Sequence, residues 1–358
     1  MGQFSIISDA RTWQQKLQKL KDNSLLTSFD FVNASTLLYP DDCPTTEAAV
    51  YEKNEKFAFL PYVKRQCPYN NDFFDICSAY EFGGIWFSTQ DKSKCLDLQD
   101  GLSKEFYQYA NDTKIVSEFL RLNPMIELDY LPWQDYEIAM TGQHIIIPLK
   151  RGLKKIWSEF QGARRTEIRR AIKSKLSIEF TLDTDTFLEH YYNRLKSLRA
   201  YSFYYFPKSF IENLRQKIIL KIFDMNGDLC GVQLWLYDNH TMFYFLSADI
   251  YEKRHLNPST FGIYTMINYA YEKAFEYIHL GGGNKSLYYF KALFSPHRAD
   301  YFTAKRIFNL DAYNYLVNEH IRNSGEVKNK GFFPLYREDN KISDNYSNNR
   351  RYTGTMLY

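Results

Sequence analysis

The stretch from Lys217 to Asp249 constrains the fold more than any other. It reads as three successive strands, Lys217–Met225, Asp228–Tyr237 and Thr241–Ala248, because Ile, Leu, Val, Phe, Trp and Tyr crowd each run and turn residues separate them. Asn226-Gly227 is the dipeptide expected in a two-residue hairpin turn whose central positions both need positive φ, and Asp238-Asn239-His240 supplies the second turn. A three-strand meander is the result.

Downstream, Asn257-Pro258-Ser259-Thr260 starts a helix, with Asn257 as N-cap and Pro258 in the first helical position, running to about Phe275. A strand over Glu276–Leu280, a loop at Gly281-Gly282-Gly283-Asn284, a short helix over Ser286–Phe294 and a strand over Phe302–Phe308 follow. Upstream, Ile156–Leu176 reads as one basic amphipathic helix. Ile168, Ala171, Ile172 and Leu176 share one face, and Arg165, Arg169 and Lys173 recur on another. Two more helices cover Phe187–Arg199 and the residues from Ser209.

The first part of the chain mixes both element types. Strands are expected at Phe57–Tyr62, where Pro61 implies a sheet edge, at Phe73–Cys77 before a Gly83-Gly84 turn, and at His144–Leu149. Helical spacing marks Gln14–Leu26 and Gly101–Leu120. These patterns give one domain over residues 1–150, a second over 151–310, and a C-terminal helix with an irregular, Asn- and Asp-rich tail over 311–358.

Charge separates the two parts. Residues 1–150 carry 14 Lys and Arg against 21 Asp and Glu, whereas residues 151–180 alone hold nine basic and three acidic residues. An anionic partner would therefore meet the second domain. No apolar run approaches the roughly 18 residues of a membrane span, and the N-terminus has no signal-type pattern, so a cytoplasmic protein is expected. The five cysteines lack a C-x-x-C pair, which suits a reducing compartment, and the seven histidines lack ligand spacing, so no metal is expected.

The order strand, hairpin, strand, capped helix, strand, glycine loop, short helix, strand resembles the core of GNAT acyltransferases. Several words narrow this. Phe245-Leu246-Ser247-Ala248-Asp249, Asn257-Pro258-Ser259, His279-Leu280-Gly281-Gly282-Gly283-Asn284 and Leu287-Tyr288-Tyr289-Phe290-Lys291 are similar to the second domain of FemABX-like proteins. The run from Ala163 to Ala171 resembles the Arg-rich helix that opens that domain, and Asp75 to Ile85 resembles a first-domain signature. Across residues 55–310 the resemblance implies a mixed α/β (α+β) fold of two tandem GNAT-like domains with a cleft between them.

For function, the resemblance implies amide formation on an amino sugar or similar cell-surface precursor from an acyl-CoA-type donor, with acyl-CoA as co-substrate. Two alternatives stand beside it: an aminoacyl-tRNA-dependent transferase acting on a peptidoglycan precursor, and a two-lobed binding protein without turnover. The acceptor would be a small molecule or a nucleotide-linked saccharide. By the family's Phe-Lys word, Lys291 is the first catalytic candidate, with Phe290 positioning it through its backbone. Tyr289, rather than Tyr288, is the candidate acid for the leaving group. Ser197 and Arg199 match a Thr-x-Arg word that grips a diphosphate, and Tyr204 and Tyr244 fall near acceptor-lining positions. Asn257, Ser259 and Thr260, at a helix N-terminus, would hold a pyrophosphate. Where peptidoglycan members place an acidic base after a Gly-Pro word, Gly83-Gly84-Ile85-Trp86-Phe87 has none, leaving Asp75 or Glu81 as substitutes. The 30 Tyr and 28 Phe include concentrations at Tyr201–Phe206, Tyr237–Tyr251 and Tyr288–Phe294, which the resemblance places around the cleft.

Overall fold

The computed structural model describes residues 2–20, 24–125 and 135–338. The described residues divide into two compact units, one built from those up to 141 and from 301 to 338, the other from residues 142–300. The expected boundaries at 150 and 310 move because two strands run through the division. β7 (Glu137–Pro148) leads out of the first unit and β13 (Arg298–Ile307) leads back into it.

In the first unit, β1 (Gln3–Ile7) is followed by α1 (Ala10–Leu17), α2 (Phe29–Thr36), β2 (Thr45–Lys53), β3 (Lys56–Cys67), β4 (Asn70–Cys77), the short β5 (Trp86–Phe87), α3 (Lys92–Asp112) and β6 (Ile115–Arg121). The sheet order is β1-β2-β3-β4-β6-β13, with β5 pairing beside β3. Only β4 and β6 run parallel to each other; the other neighbours are antiparallel. A core of Leu98, Leu102 and Phe106 from α3 packs on Leu60, Tyr62, Ile76, Ile115 and Leu120.

The second unit takes β7 and continues with α4 (Leu153–Glu159), α5 (Gly162–Lys173), β8 (Ser177–Thr181), α6 (Thr184–Ser197), α7 (Lys208–Asn213), β9 (Lys217–Phe223), β10 (Leu229–Tyr237), β11 (Thr241–Asp249), α8 (Pro258–Glu272), β12 (Tyr277–Gly281) and α9 (Lys285–Ala292). Its order is β7-β12-β11-β10-β9-β8, with β11 and β12 the parallel pair. Strand, two helices, meander, helix, parallel strand thus occurs twice in the chain. The mixed α/β class and the internal repetition are those expected from the sequence.

Several local expectations are corrected. The helix expected over Gly101–Leu120 is the end of α3 followed by β6; Lys114, at φ 57°, breaks the helix, and every residue from Ile115 to Arg121 is buried as a central strand. Gln14–Leu26 is not one helix, since α1 ends at Leu17 and a separate 3-10 turn covers Leu25–Thr27. Ile156–Leu176 breaks at Phe160, which turns extended (ψ 139°) and buries its ring, and Ile172 is 50% exposed instead of facing the core. Pro61 is not at an edge. β3 lies between β2 and β4, and Pro61 falls between Phe59, paired with β5, and Val63, paired with β4, where a missing N–H breaks no ladder bond.

The first hairpin turn also differs. Among its residues only Gly227 has positive φ (82°), and its N–H donates to the Asp224 carbonyl at 3.0 Å. The Asp224 carboxylate accepts from the N–H groups of Asn226 and Asp228, so a side chain does the work assigned to the Asn-Gly pair. The C-terminal helix is α10 (Leu310–Ser324), which buries Ala312, Tyr313 and Leu316 with Cys67, Val116 and Tyr336 of the first unit. The irregular tail expected after it lies, from residue 339, outside the described residues.

Candidate active site

The second unit opens where its parallel strands part. β11 pairs with β12 only from Thr241 to Phe243, the last rung joining Phe243 and His279. Beyond it β11 stays paired with β10 as far as Asp249, while β12 follows β7, with Gly281 opposite Ile145. On β11 the pairing slips between Trp235↔Tyr244 and Leu234↔Leu246, leaving Phe245 as an extra, bulged residue. Among the described residues no rung joins β11 to β12 from Tyr244 onward.

The first unit closes the equivalent gap. After Cys77 the Ser78 N–H donates to the Phe119 carbonyl at 3.0 Å, and the Gly83 N–H donates to the Arg121 carbonyl at 2.7 Å. Ser78 Oγ accepts from the Arg121 N–H at 2.7 Å. A Cβ on Gly83 would lie 2.9 Å from that of Ser78, so glycine is what lets this segment fold back on itself. The quoted first-unit signature is therefore a plug. Its Asp75 carboxylate bonds Arg65 at 2.8 Å and 2.9 Å and also bonds Arg337, and these cations hold its pKa below the ordinary value against the opposing effect of burial. The Asp75 carboxylate is thus engaged in ion pairs within the first unit.

Lys291 is buried at the end of α9, with 4% exposure, and its ammonium donates to the Gly282 carbonyl at 2.7 Å. Its Nζ lies 5.7 Å from the ring centre of Tyr244, the first residue of β11 past its last rung with β12. Asn284 caps α9 by accepting from the N–H groups of Ser286 and Leu287, which fixes the helix that carries Lys291. The glycines have separate uses. Gly281 sits at φ +75°, and a Cβ on Gly282 would meet the His144 ring at 2.8 Å.

His144 and His279 form a buried pair that sequence spacing did not show. His144 Nδ1 and His279 Nε2 are 3.1 Å apart, brought together because β7 pairs with β12. Burial pushes both pKa values down, helped for His144 by His279 and for both by the Lys291 ammonium; His279 falls to about 3. Both imidazoles are neutral at physiological pH.

Arg164, inside the Arg-rich word but not singled out from sequence, is a buried cation beside α9. It donates to the Phe290 carbonyl at 2.8 Å, lies 4.3 Å and 4.4 Å from the ring centres of Phe290 and Phe294, and bonds Glu167 and the Thr260 hydroxyl. Phe290 is thus held through its backbone. Tyr289 is 66% exposed, whereas Tyr288 packs on the core and its hydroxyl accepts from Arg298 at 2.9 Å.

At the start of α8, Asn257 has φ 59° and makes no capping bond; its side chain instead donates to the His255 carbonyl at 3.3 Å. Ser259 Oγ donates to Asp249 at 2.6 Å, and Thr260 Oγ1 donates to Glu167 at 3.0 Å. Burial pushes the Asp249 carboxyl up to about 6, against the Ser259 hydrogen bond. Tyr244 donates to the Ser247 hydroxyl.

Ser197 ends α6, and Arg199 and Tyr204 follow it in the chain, Tyr204 in a separate 3-10 turn. Ser197 Oγ donates back to the Arg194 carbonyl at 2.7 Å, Arg199 is exposed at φ 50°, and Tyr204 stands edge-on to Phe203 with ring centres 5.4 Å apart. Within the basic stripe, Arg165 bonds the Ser158 and Phe160 carbonyls and Arg169 lies over Trp157, while Arg170 and Lys173 are exposed. Among the described residues no group of three or more His, Cys, Asp or Glu is placed to hold a metal, and no helix is long and apolar enough to cross a membrane.

No protein-family model matches the sequence, and no curated protein does. Solved structures match its fold. FemX superposes with a TM-score of 0.70 at 12% identity, over 87% of this chain and 99% of that one. L-PGS from Bacillus licheniformis gives 0.52 at 12% identity, over 84% and 92%. A tandem GNAT protein from the clavulanic acid biosynthesis pathway gives 0.50 at 9% identity, over 86% and 99%. Identities this low speak to fold and not to chemistry. The chain has the FemABX-type fold, two GNAT-like units in tandem.

Proposed function

We propose that the protein is an acyltransferase that forms an amide, with its reaction centre where β11 and β12 part. The observation that carries this reading is the buried ammonium of Lys291, fastened to the Gly282 carbonyl beside the stretch of β11 that has parted from β12. Acyl transfer needs no nucleophilic side chain. An amine attacks the donor carbonyl and forms the C–N bond, negative charge gathers on the carbonyl oxygen, and the C–O or C–S bond to the leaving group breaks, the proton that the amine gives up being balanced by the one the leaving group gains. Backbone N–H groups from Tyr244 to Leu246 and the Lys291 ammonium serve the oxyanion. Phe290, held by Arg164, keeps α9 in place, and Tyr289 is exposed to protonate the leaving group. Tyr244 lines the site.

For the donor, the start of α8 favours an aminoacyl ester carried by tRNA over acyl-CoA. A pyrophosphate would need the N-terminal turn of α8, but Ser259 already bonds the Asp249 carboxylate and Thr260 bonds Arg164 and Glu167. A carboxylate beside that turn repels a diphosphate. Exposed Arg170 and Lys173 suit a polyanionic donor. The acceptor is an amine on a nucleotide-linked cell-surface saccharide or muropeptide, whose diphosphate Arg199 and Ser197 would grip.

Transfer assays decide between donors. The purified protein is given a mixture of amine-bearing nucleotide-linked sugars and muropeptides with either a radiolabelled aminoacyl-tRNA pool or an acyl-CoA panel. Label moving from tRNA to acceptor is the expected result; transfer from thioesters alone would overturn the donor assignment, and transfer from neither would overturn the whole reading.

A further inference from the structure

We infer that His144 and His279 are positioning residues for Lys291, acting through the glycine turn that receives its ammonium. This rests on the reading of Lys291 given above. Three contacts carry it. The two imidazoles share a hydrogen bond of 3.1 Å across the β7–β12 pair. The His144 ring occupies the space a side chain on Gly282 would fill, 2.8 Å from an added Cβ, so ring and glycine backbone lie in direct contact. The Gly282 carbonyl in turn accepts from Lys291 at 2.7 Å.

A glycine turn has no side chain to hold it, and its conformational freedom would let the Gly282 carbonyl wander. The imidazole pair removes that freedom from one side. His279 also stands at the last rung before β11 and β12 separate, where its ring lies 5.6 Å from that of Phe243. The same pair therefore marks both the parting of the strands and the seat of the ammonium. Neutrality is part of the function, since a charged imidazole beside a buried ammonium would push it away.

The test uses the full chain in five forms: unaltered, His144→Leu, Gly282→Ala, His144→Asn and, to assign the lysine signal, Lys291→Met. His144→Leu removes the imidazole hydrogen bond, whereas the Asn side chain keeps a polar atom near the Nδ1 position. Gly282→Ala disturbs the same contact from the other side and guards against a folding defect peculiar to the histidine change. Two readouts are taken. With aminoacyl-tRNA as donor, kcat is expected to fall about ten- to a hundred-fold in His144→Leu and Gly282→Ala, with KM for the donor kept within about two-fold and partial recovery in His144→Asn.

Independently of turnover, NMR of protein labelled with 13C at the lysine ε carbons follows the signal that vanishes in Lys291→Met. Its chemical shift and titration midpoint are expected to move in His144→Leu and Gly282→Ala and to return toward the unaltered values in His144→Asn. An unmoved Lys291 signal, or a loss confined to KM, overturns the inference. If no acceptor or donor yields turnover the functional reading fails, and the Lys291 signal alone then decides the inference.

Discussion

Arg164 donates to the carbonyl oxygen of Phe290 at 2.8 Å and lies 4.3 Å from the centre of that residue's ring. One side chain of α5 thus fixes the residue next to Lys291 by both hydrogen bond and cation–π contact, while its other nitrogen bonds Glu167 and Thr260. Lysine has no planar fork to make these contacts together. Arg164→Lys is expected to cost about 2–4 kcal/mol in urea unfolding and to lower transfer activity beyond the loss of folded protein. Unchanged stability would show that the contacts contribute nothing.

Lys291 gives a contrasting prediction. Burying an ammonium is unfavourable, so Lys291→Met, of similar length and without charge, is expected to keep or raise the melting temperature. Activity should fall about 10²–10³-fold in kcat, the range for losing one oxyanion-stabilising group. Full activity in a well-folded Lys291→Met protein would remove the residue from the mechanism.

How much of this was legible depends on whether the signal was local. The meander from Lys217 to Asp249 is written in its own residues, as apolar runs with turn residues between them, and the structure has it. Lys291 was singled out through words in a fixed order, and the structure buries its ammonium against the Gly282 carbonyl. β6 was misread as helix because Ile115–Arg121 is covered on both faces and shows no alternation to separate strand from helix. The His144–His279 pair joins residues 135 positions apart through a strand pairing that no spacing reports. Arg164 looked like one more charge on a basic helix; only packing distinguishes it from exposed Arg170. The bulge at Phe245 and the plug at Ser78 are backbone events, and composition carries no trace of them.

Asp249 makes stability depend on pH in an unusual direction. Burial raises its pKa from the ordinary carboxyl value of 3.8 to about 6 on folding, so between those values the folded chain holds the proton more tightly than the unfolded one. Stability contributed by this group is present below about pH 4 and is lost as pH rises through about 6. At neutral pH the charged, desolvated carboxylate costs up to about 3 kcal/mol. Asp249→Asn, which can still accept from Ser259, is expected to raise urea stability at pH 7.5 and to flatten its decline between pH 4 and 6. A variant as stable as the unaltered chain at every pH would contradict the assignment.

Asp75 runs the other way and separates a structural carboxylate from a catalytic one. Arg337 and Arg65 lower its pKa, so its contribution is fully present above the unfolded value of 3.8 and is lost as pH falls through the lower folded value. Its partners tie β4 to β3 through Arg65, and to the C-terminal segment through Arg337 and the Tyr336 hydroxyl, which donates to it at 3.1 Å. Asp75→Asn leaves both guanidinium groups buried with a weaker acceptor and is expected to cost about 3–5 kcal/mol. If the carboxylate is structural, the folded fraction at low temperature keeps its kcat, and the pH profile of transfer keeps its shape. A general base would behave oppositely, with kcat collapsing and the alkaline plateau disappearing in a chain whose unfolding midpoint had barely moved. Measuring both quantities on one preparation of Asp75→Asn distinguishes the roles, because each predicts a large change in the quantity the other leaves alone.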